Sequence, residues 1–203
     1  VNINGTFSGL LQKKLVSVED SQSGENTCFA NVTAANSALY GISFSDDVLP
    51  QLFEKSSGFY SLKEANFMFY AEGRKWDTQN YEITIPDNSF NRLRQADYMF
   101  YDADKHDIHI GNNCFNAISD VSAALFSRNC SLEISDNCFN NVTAIEGGVF
   151  DVLSLSAIGE NCFNSISSIT SPFIPNNTTE LTIGDNSFKN LRVAEHAFEV
   201  PAG

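Results

Sequence analysis

Ile158-Gly159-Glu160-Asn161-Cys162-Phe163 returns 25 residues later as Ile183-Gly184-Asp185-Asn186-Ser187-Phe188. Each stretch runs apolar residue, tight polar turn, small residue, phenylalanine. The same frame extends outward to anchor phenylalanines at Phe7, Phe29, Phe59, Phe90, Phe115, Phe139, Phe163 and Phe188. The last five anchors are spaced 25, 24, 24 and 25 residues apart, the earlier ones 22, 30 and 31. Fixed spacing over five units is the signature of an array whose units each bury their apolar face against the next. The chain is therefore read as one repeat solenoid over residues 1–203, with about eight units of 24–25 residues. Regular repeats fill residues 83–203, and irregular, insertion-bearing ones residues 1–82.

Within a unit, Ile83, Ile108, Leu132 or Leu181 lies seven residues before the anchor. Ile85, Ile110, Ile134, Ile158 or Ile183 lies five before it. This alternation predicts a short strand, stacked in parallel on its neighbours at about 4.8 Å. Turns such as Pro86-Asp87-Asn88 and Gly111-Asn112-Asn113 follow, made of residues that tolerate turn geometry. The asparagines Asn88, Asn113, Asn137, Asn161 and Asn186 are expected to stack, their amides bonding along the column and to the turn backbone. After the anchor, apolar residues at +3 and +6 suit a 3₁₀-like arc, and those at +9 to +11 a second strand.

Residues 157–191 resemble BspA-type leucine-rich repeats. The two opening hexapeptides resemble that family's I-G-x-N-A-F signature, and Ile166, Ile169 and Ile174-Pro175 fall where it places its next apolar residues and its Ile-Pro. The general pattern L-x-L-x-x-N-x-L is present from Leu181 to Phe188. The likeness covers Ile83 to about Phe198 well and the first 80 residues loosely. The units are a residue or two longer than the family's, and most lack the Ile-Pro. An alternative is a right-handed parallel β-helix: Asn140-Asn141-Val142-Thr143-Ala144 and Gly147-Gly148-Val149-Phe150 resemble elements of the polymorphic outer-membrane proteins. Only that unit carries the Gly-Gly. The first resemblance implies a non-catalytic extracellular or cell-surface module, adhesin-like, that binds protein or glycan. An end-to-end self-associating subunit and a polysaccharide-active β-helix are the alternatives.

Net charge is −13, from 12 Lys and Arg against 25 Asp and Glu. Such a polyanion is repelled by nucleic acid and by anionic membrane surfaces. No apolar run is long enough to span a bilayer. Neither end resembles a polar cap, so the chain reads as a piece of a longer one or as a stacking unit. Cys28, Cys114, Cys138 and Cys162 share the position before the anchor; half-buried free thiols are expected, with one bridge between neighbouring coils as the other outcome. No Cys-x-x-Cys pair occurs, so no metal site is expected, nor any cofactor. Asp102, Asp104, His106, Asp107 and His109 form the one cluster with acid–base residue types, and it reads as a solvated turn. No catalytic constellation appears.

If +9 and +11 face inward, +10 faces out. That places Leu39, Phe69, Phe100, Leu125, Val149, Phe173 and Phe198 in an exposed apolar row fit for binding. Arg74, Lys75 and Trp76 in the 71–80 insertion are a second candidate contact. Glycosylation sequons stand at Asn4, Asn31, Asn129, Asn141, Asn176 and Asn177.

Overall fold

Alternating apolar residues make the strands, as the period-two pattern requires. The computed structural model describes residues 2–4, 34–36, 62–65, 81–100, 106–119, 121, 125–126, 130–145, 150, 152–170, 175, 178–195 and 197–198. Near the start, β1 (Asn2–Asn4) and β2 (Ala34–Asn36) pair in parallel. The main sheet holds β3 (Tyr81–Ile85), β4 (His106–Ile110), β5 (Cys130–Ile134), β7 (Ser154–Ile158) and β9 (Thr182–Ile183), all parallel and in that order. Ile83, Ile108 and Leu132 are in register, as are Ile85, Ile110 and Ile134. The pattern skips at Ser156 because β7 carries a bulge there, which turns Leu155 inward to face Leu132.

The second sheet is not where the apolar run at +9 to +11 suggests. It lies at +5 and +6: β6 (Ala144–Ile145), β8 (Ser168–Ile169) and β10 (Val193–Ala194), in the order β10-β8-β6. At +10 and +11 the described residues show one bridge, Phe100 with Phe126.

The arc between the sheets is not 3₁₀. Every second residue takes a left-handed φ. In one coil these are Asn113 (58°), Phe115 (56°) and Ala117 (57°), in the next Asn137 (59°), Phe139 (56°) and Asn141 (57°), and the pattern recurs in all five coils whose anchors are among the described residues. Alternating hand keeps the chain extended across the arc, so its backbone bonds to the coils on either side. Asn113 N–H donates forward to Asp136 O at 2.9 Å, Phe115 N–H backward to Ser89 O at 3.0 Å. A left-handed residue other than glycine is costly, and asparagine least so. That explains the asparagine two residues before each anchor: it is kept for its backbone. The side-chain ladder runs instead through the residue after the anchor. Asn91, Asn116, Asn140 and Asn164 each accept, through Oδ1, the backbone N–H one coil on, at 2.6–2.7 Å.

Two phenylalanine columns fill the interior. The anchors Phe90, Phe115, Phe139, Phe163 and Phe188 stack with centroids 5.0–5.3 Å apart. Phe100, Phe126 and Phe150 form a second stack at 5.7–6.3 Å and meet the first edge-on, as at Phe139–Phe150, 5.4 Å. Offset stacks and T-shaped contacts are the geometries the aromatic quadrupole favours.

Candidate interaction face

Burial corrects the proposed apolar row. Phe100 is 4 % exposed and Leu125 0 %, so both belong to the core. Left-handed residues upstream reset which side of the backbone each side chain leaves from, and strand alternation does not carry across the arc. Phe198 is 44 % exposed, at the last described coil, where it meets Phe188 edge-on at 5.2 Å. Leu39, Phe69, Val149, Phe173, Arg74, Lys75 and Trp76 lie outside the described residues.

The polar side chains that the fold brings together are on the outside of the main sheet. With the isoleucines turned in, Glu82, Thr84, Asp107 and Glu133 are exposed, and His109 and Ser131 partly so. Register aligns Thr84, His109, Glu133 and Ala157 across four strands. His109 sits between two carboxylates: Nδ1 is 2.9 Å from Glu133 Oε2 and Nε2 is 3.4 Å from Glu82 Oε1. Asp107 and His109 therefore occupy a strand, not a solvated turn. Next to this face runs an acidic edge in the turns, Asp87, Asp136, Glu160 and Asp185, all exposed. Asp87 Oδ1 accepts Asn112 N–H at 2.6 Å, and Asp136 Oδ1 accepts Glu160 N–H at 2.7 Å. These bonds tie the Asp87 and Asp136 carboxylates to the backbone of the next coil, and Asn112 Nδ2 also donates to Asp87 Oδ2 at 3.4 Å. The result is an anionic face.

Glycine permits the turns to close this tightly. A Cβ on Gly159 would meet Asp136 Oδ1 and lie 2.6 Å from the Ser135 carbonyl carbon, so only hydrogen fits there.

Glu82 and Glu133 were not singled out from the sequence. The signal was present: the strand alternation places positions −8 and −6 outside, and aligning the units by their anchors puts Glu133 beside His109. Of the sequons, Asn141 is exposed, on the left-handed arc away from the sheet. Asn4 lies in β1, while Asn31, Asn129, Asn176 and Asn177 lie outside the described residues.

The small residues before the anchors form a buried ladder. Cys114, Cys138 and Cys162 are free thiols, each 0 % exposed. Backbone N–H groups of Ser89, Cys114 and Cys138 each donate to the sulfur one coil on, at 3.3–3.4 Å. Hydrogen bonds to Cys114 and Cys162, together with burial, push the Cys138 thiol far above the usual range. Cys130, also buried, lies outside this column, in register with His106. Among the described residues no group of three or more His, Cys, Asp and Glu is placed to hold a metal ion, and no helix is long and apolar enough to cross a membrane.

No curated protein and no solved structure matches the chain. The family model of the BspA type leucine rich repeat region matches six copies over residues 83–200. These span the parallel main sheet, the left-handed arcs and both phenylalanine columns described above. With more than half of its length accounted for by that repeat, the chain belongs to the BspA type leucine-rich repeat family.

Proposed function

We propose that this chain is a non-catalytic recognition module, displayed outside the cell or on its surface, that binds a protein through the outer face of the main sheet. The Glu82–His109–Glu133 cluster carries this reading: His109 and Glu133 are in register, and Glu82, two positions before His109's partner Thr84, reaches His109 diagonally from the neighbouring strand. Its charge selects the partner. Exposed carboxylates at Glu82, Asp107, Glu133 and along the turn edge suit a surface rich in lysine and arginine, and electrostatic complementarity of this kind sets specificity and on-rate. The family's repeats typically mediate protein binding, and the exposed sequon at Asn141 leaves the sheet clear of any glycan added there.

The test is selection of displayed peptides against the full chain. Enriched peptides are expected to be cationic, to bind less tightly at high salt, and to lose binding to the double variant Glu82→Lys/Glu133→Lys. Peptides that bind the double variant as well as the parent sink the reading.

One observation favours a second reading, end-to-end self-association. All the exposed large apolar side chains among the described residues, Ile183, Val193 and Phe198, sit on the last described coil. A sedimentation experiment on the full chain separates the readings: a monomer at high concentration excludes stacking.

A further inference from the structure

The thiol ladder has a geometry that the solenoid's stability does not call for, since Ser89 and Ser187 fill the same position at either end. Ser187 Oγ donates to Gly159 O at 2.9 Å and accepts Cys162 N–H at 3.1 Å. Cys114, Cys138 and Cys162 make the same two bonds, donating to Pro86 O, Gly111 O and Ser135 O at 3.1 Å. A hydroxyl therefore serves structurally where a thiol stands. What the three thiols add is proximity. Phe139 N–H bonds Cys114 O, and Phe163 N–H bonds Cys138 O, both at 3.0 Å, which stacks the three cysteines on successive coils. Parallel coils about 4.8 Å apart fall within the Cα separations of about 4.4–6.8 Å that a disulfide spans. Each sulfur leans toward the preceding coil, 3.4 Å from the backbone nitrogen of its neighbour.

We propose that this column is an oxidation site, in which a peroxide converts either Cys114 and Cys138 or Cys138 and Cys162 into a disulfide stapling adjacent coils. Cys138 is the shared partner of both alternatives. A peroxide is small enough to enter a site that excludes larger oxidants. A thiolate at Cys114 or Cys162 attacks one peroxide oxygen: the S–O bond forms, the O–O bond breaks, and the departing hydroxide takes a proton to become water. The Cys138 sulfur then attacks the sulfenic sulfur. The S–S bond forms, the S–O bond breaks, and the second hydroxide leaves as water with the Cys138 proton. Two thiols and one peroxide give one disulfide and two waters. The remaining thiol lies one coil from Cys138, so the staple can move along the column by exchange.

The experiment treats the folded full chain with hydrogen peroxide, alkylates residual thiols in denaturant and maps the peptides without reduction. The expected product has lost two hydrogens and consists of two bridged species, both containing Cys138. Cys114→Ser and Cys162→Ser each retain one of them, and Cys138→Ser retains neither. The serines at positions 89 and 187 show that the site accepts a hydroxyl, and circular dichroism checks that each variant is folded. Should Cys138→Ser fail to fold, the other two variants still decide: each must move all bridging to the pair it leaves. A Cys114–Cys162 bridge, bridging that bypasses Cys138, or oxidation seen only in denatured chain overturns the proposal.

Discussion

Replacing Phe139 by alanine removes a ring at the centre of the array. Phe139 is 2 % exposed. It stacks on Phe115 and on Phe163, each at 5.0 Å and within 4° of parallel, and meets Phe150 edge-on at 5.4 Å. Each ring pair contributes about 0.5–1.5 kcal/mol beyond area burial, and a buried Phe→Ala change costs about 3–5 kcal/mol in all. The coils on either side are held by their own ladders and cannot collapse into the gap, so the upper half of that range is expected. Phe188→Ala is the matched control. Among the described residues its ring stacks on Phe163 at 5.2 Å and meets the exposed Phe198 edge-on. The loss opens to solvent rather than to a void, so about 1–2.5 kcal/mol is expected. Urea and thermal unfolding of both variants measure the difference. For a chain of this size, about 2–4 °C accompanies each kcal/mol, so Phe139→Ala, at about 4–5 kcal/mol, melts roughly 8–20 °C lower than the parent. Equal costs at the two sites, or a cost at Phe139 below about 1.5 kcal/mol, refute the stacked-core argument.

Three further outcomes follow from the backbone and its ladders. At Asn137, with φ at 59°, glycine should be tolerated within a few tenths of a kcal/mol. Valine at the same place should cost about 1–2 kcal/mol in urea unfolding, because a β-branched residue resists the left-handed region. Asn140→Ala leaves the Asn164 N–H, now bonded at 2.7 Å, without its acceptor. It should lose about 1–3 kcal/mol, whereas Asn140→Asp, which keeps the acceptor, recovers most of that loss in the same assay. On the sheet face, His109→Ala should shift stability by less than about 1 kcal/mol, since its carboxylate partners are half exposed or more; a larger loss on thermal unfolding would make the row a structural element rather than a contact surface.

The repeat, the anchor column and the five main strands were legible in the sequence, because they rest on local properties. A strand's alternation and a coil's length are fixed by residues near one another, and in-register stacking then copies Ile83 onto Ile108 and Leu132 without further information. The small-residue column was legible for the same reason. What the tertiary structure alone decided depends on backbone hand. The left-handed residues flip the side-chain direction at every second step of the arc. That put Phe100 and Leu125 inside, moved the second sheet to β6, β8 and β10, and assigned the amide ladder to Asn91, Asn116, Asn140 and Asn164 rather than to the turn asparagines. The anionic face was decided there too. Glu82, His109 and Glu133 are more than 20 residues apart in the chain, and only the register of three stacked strands makes them neighbours.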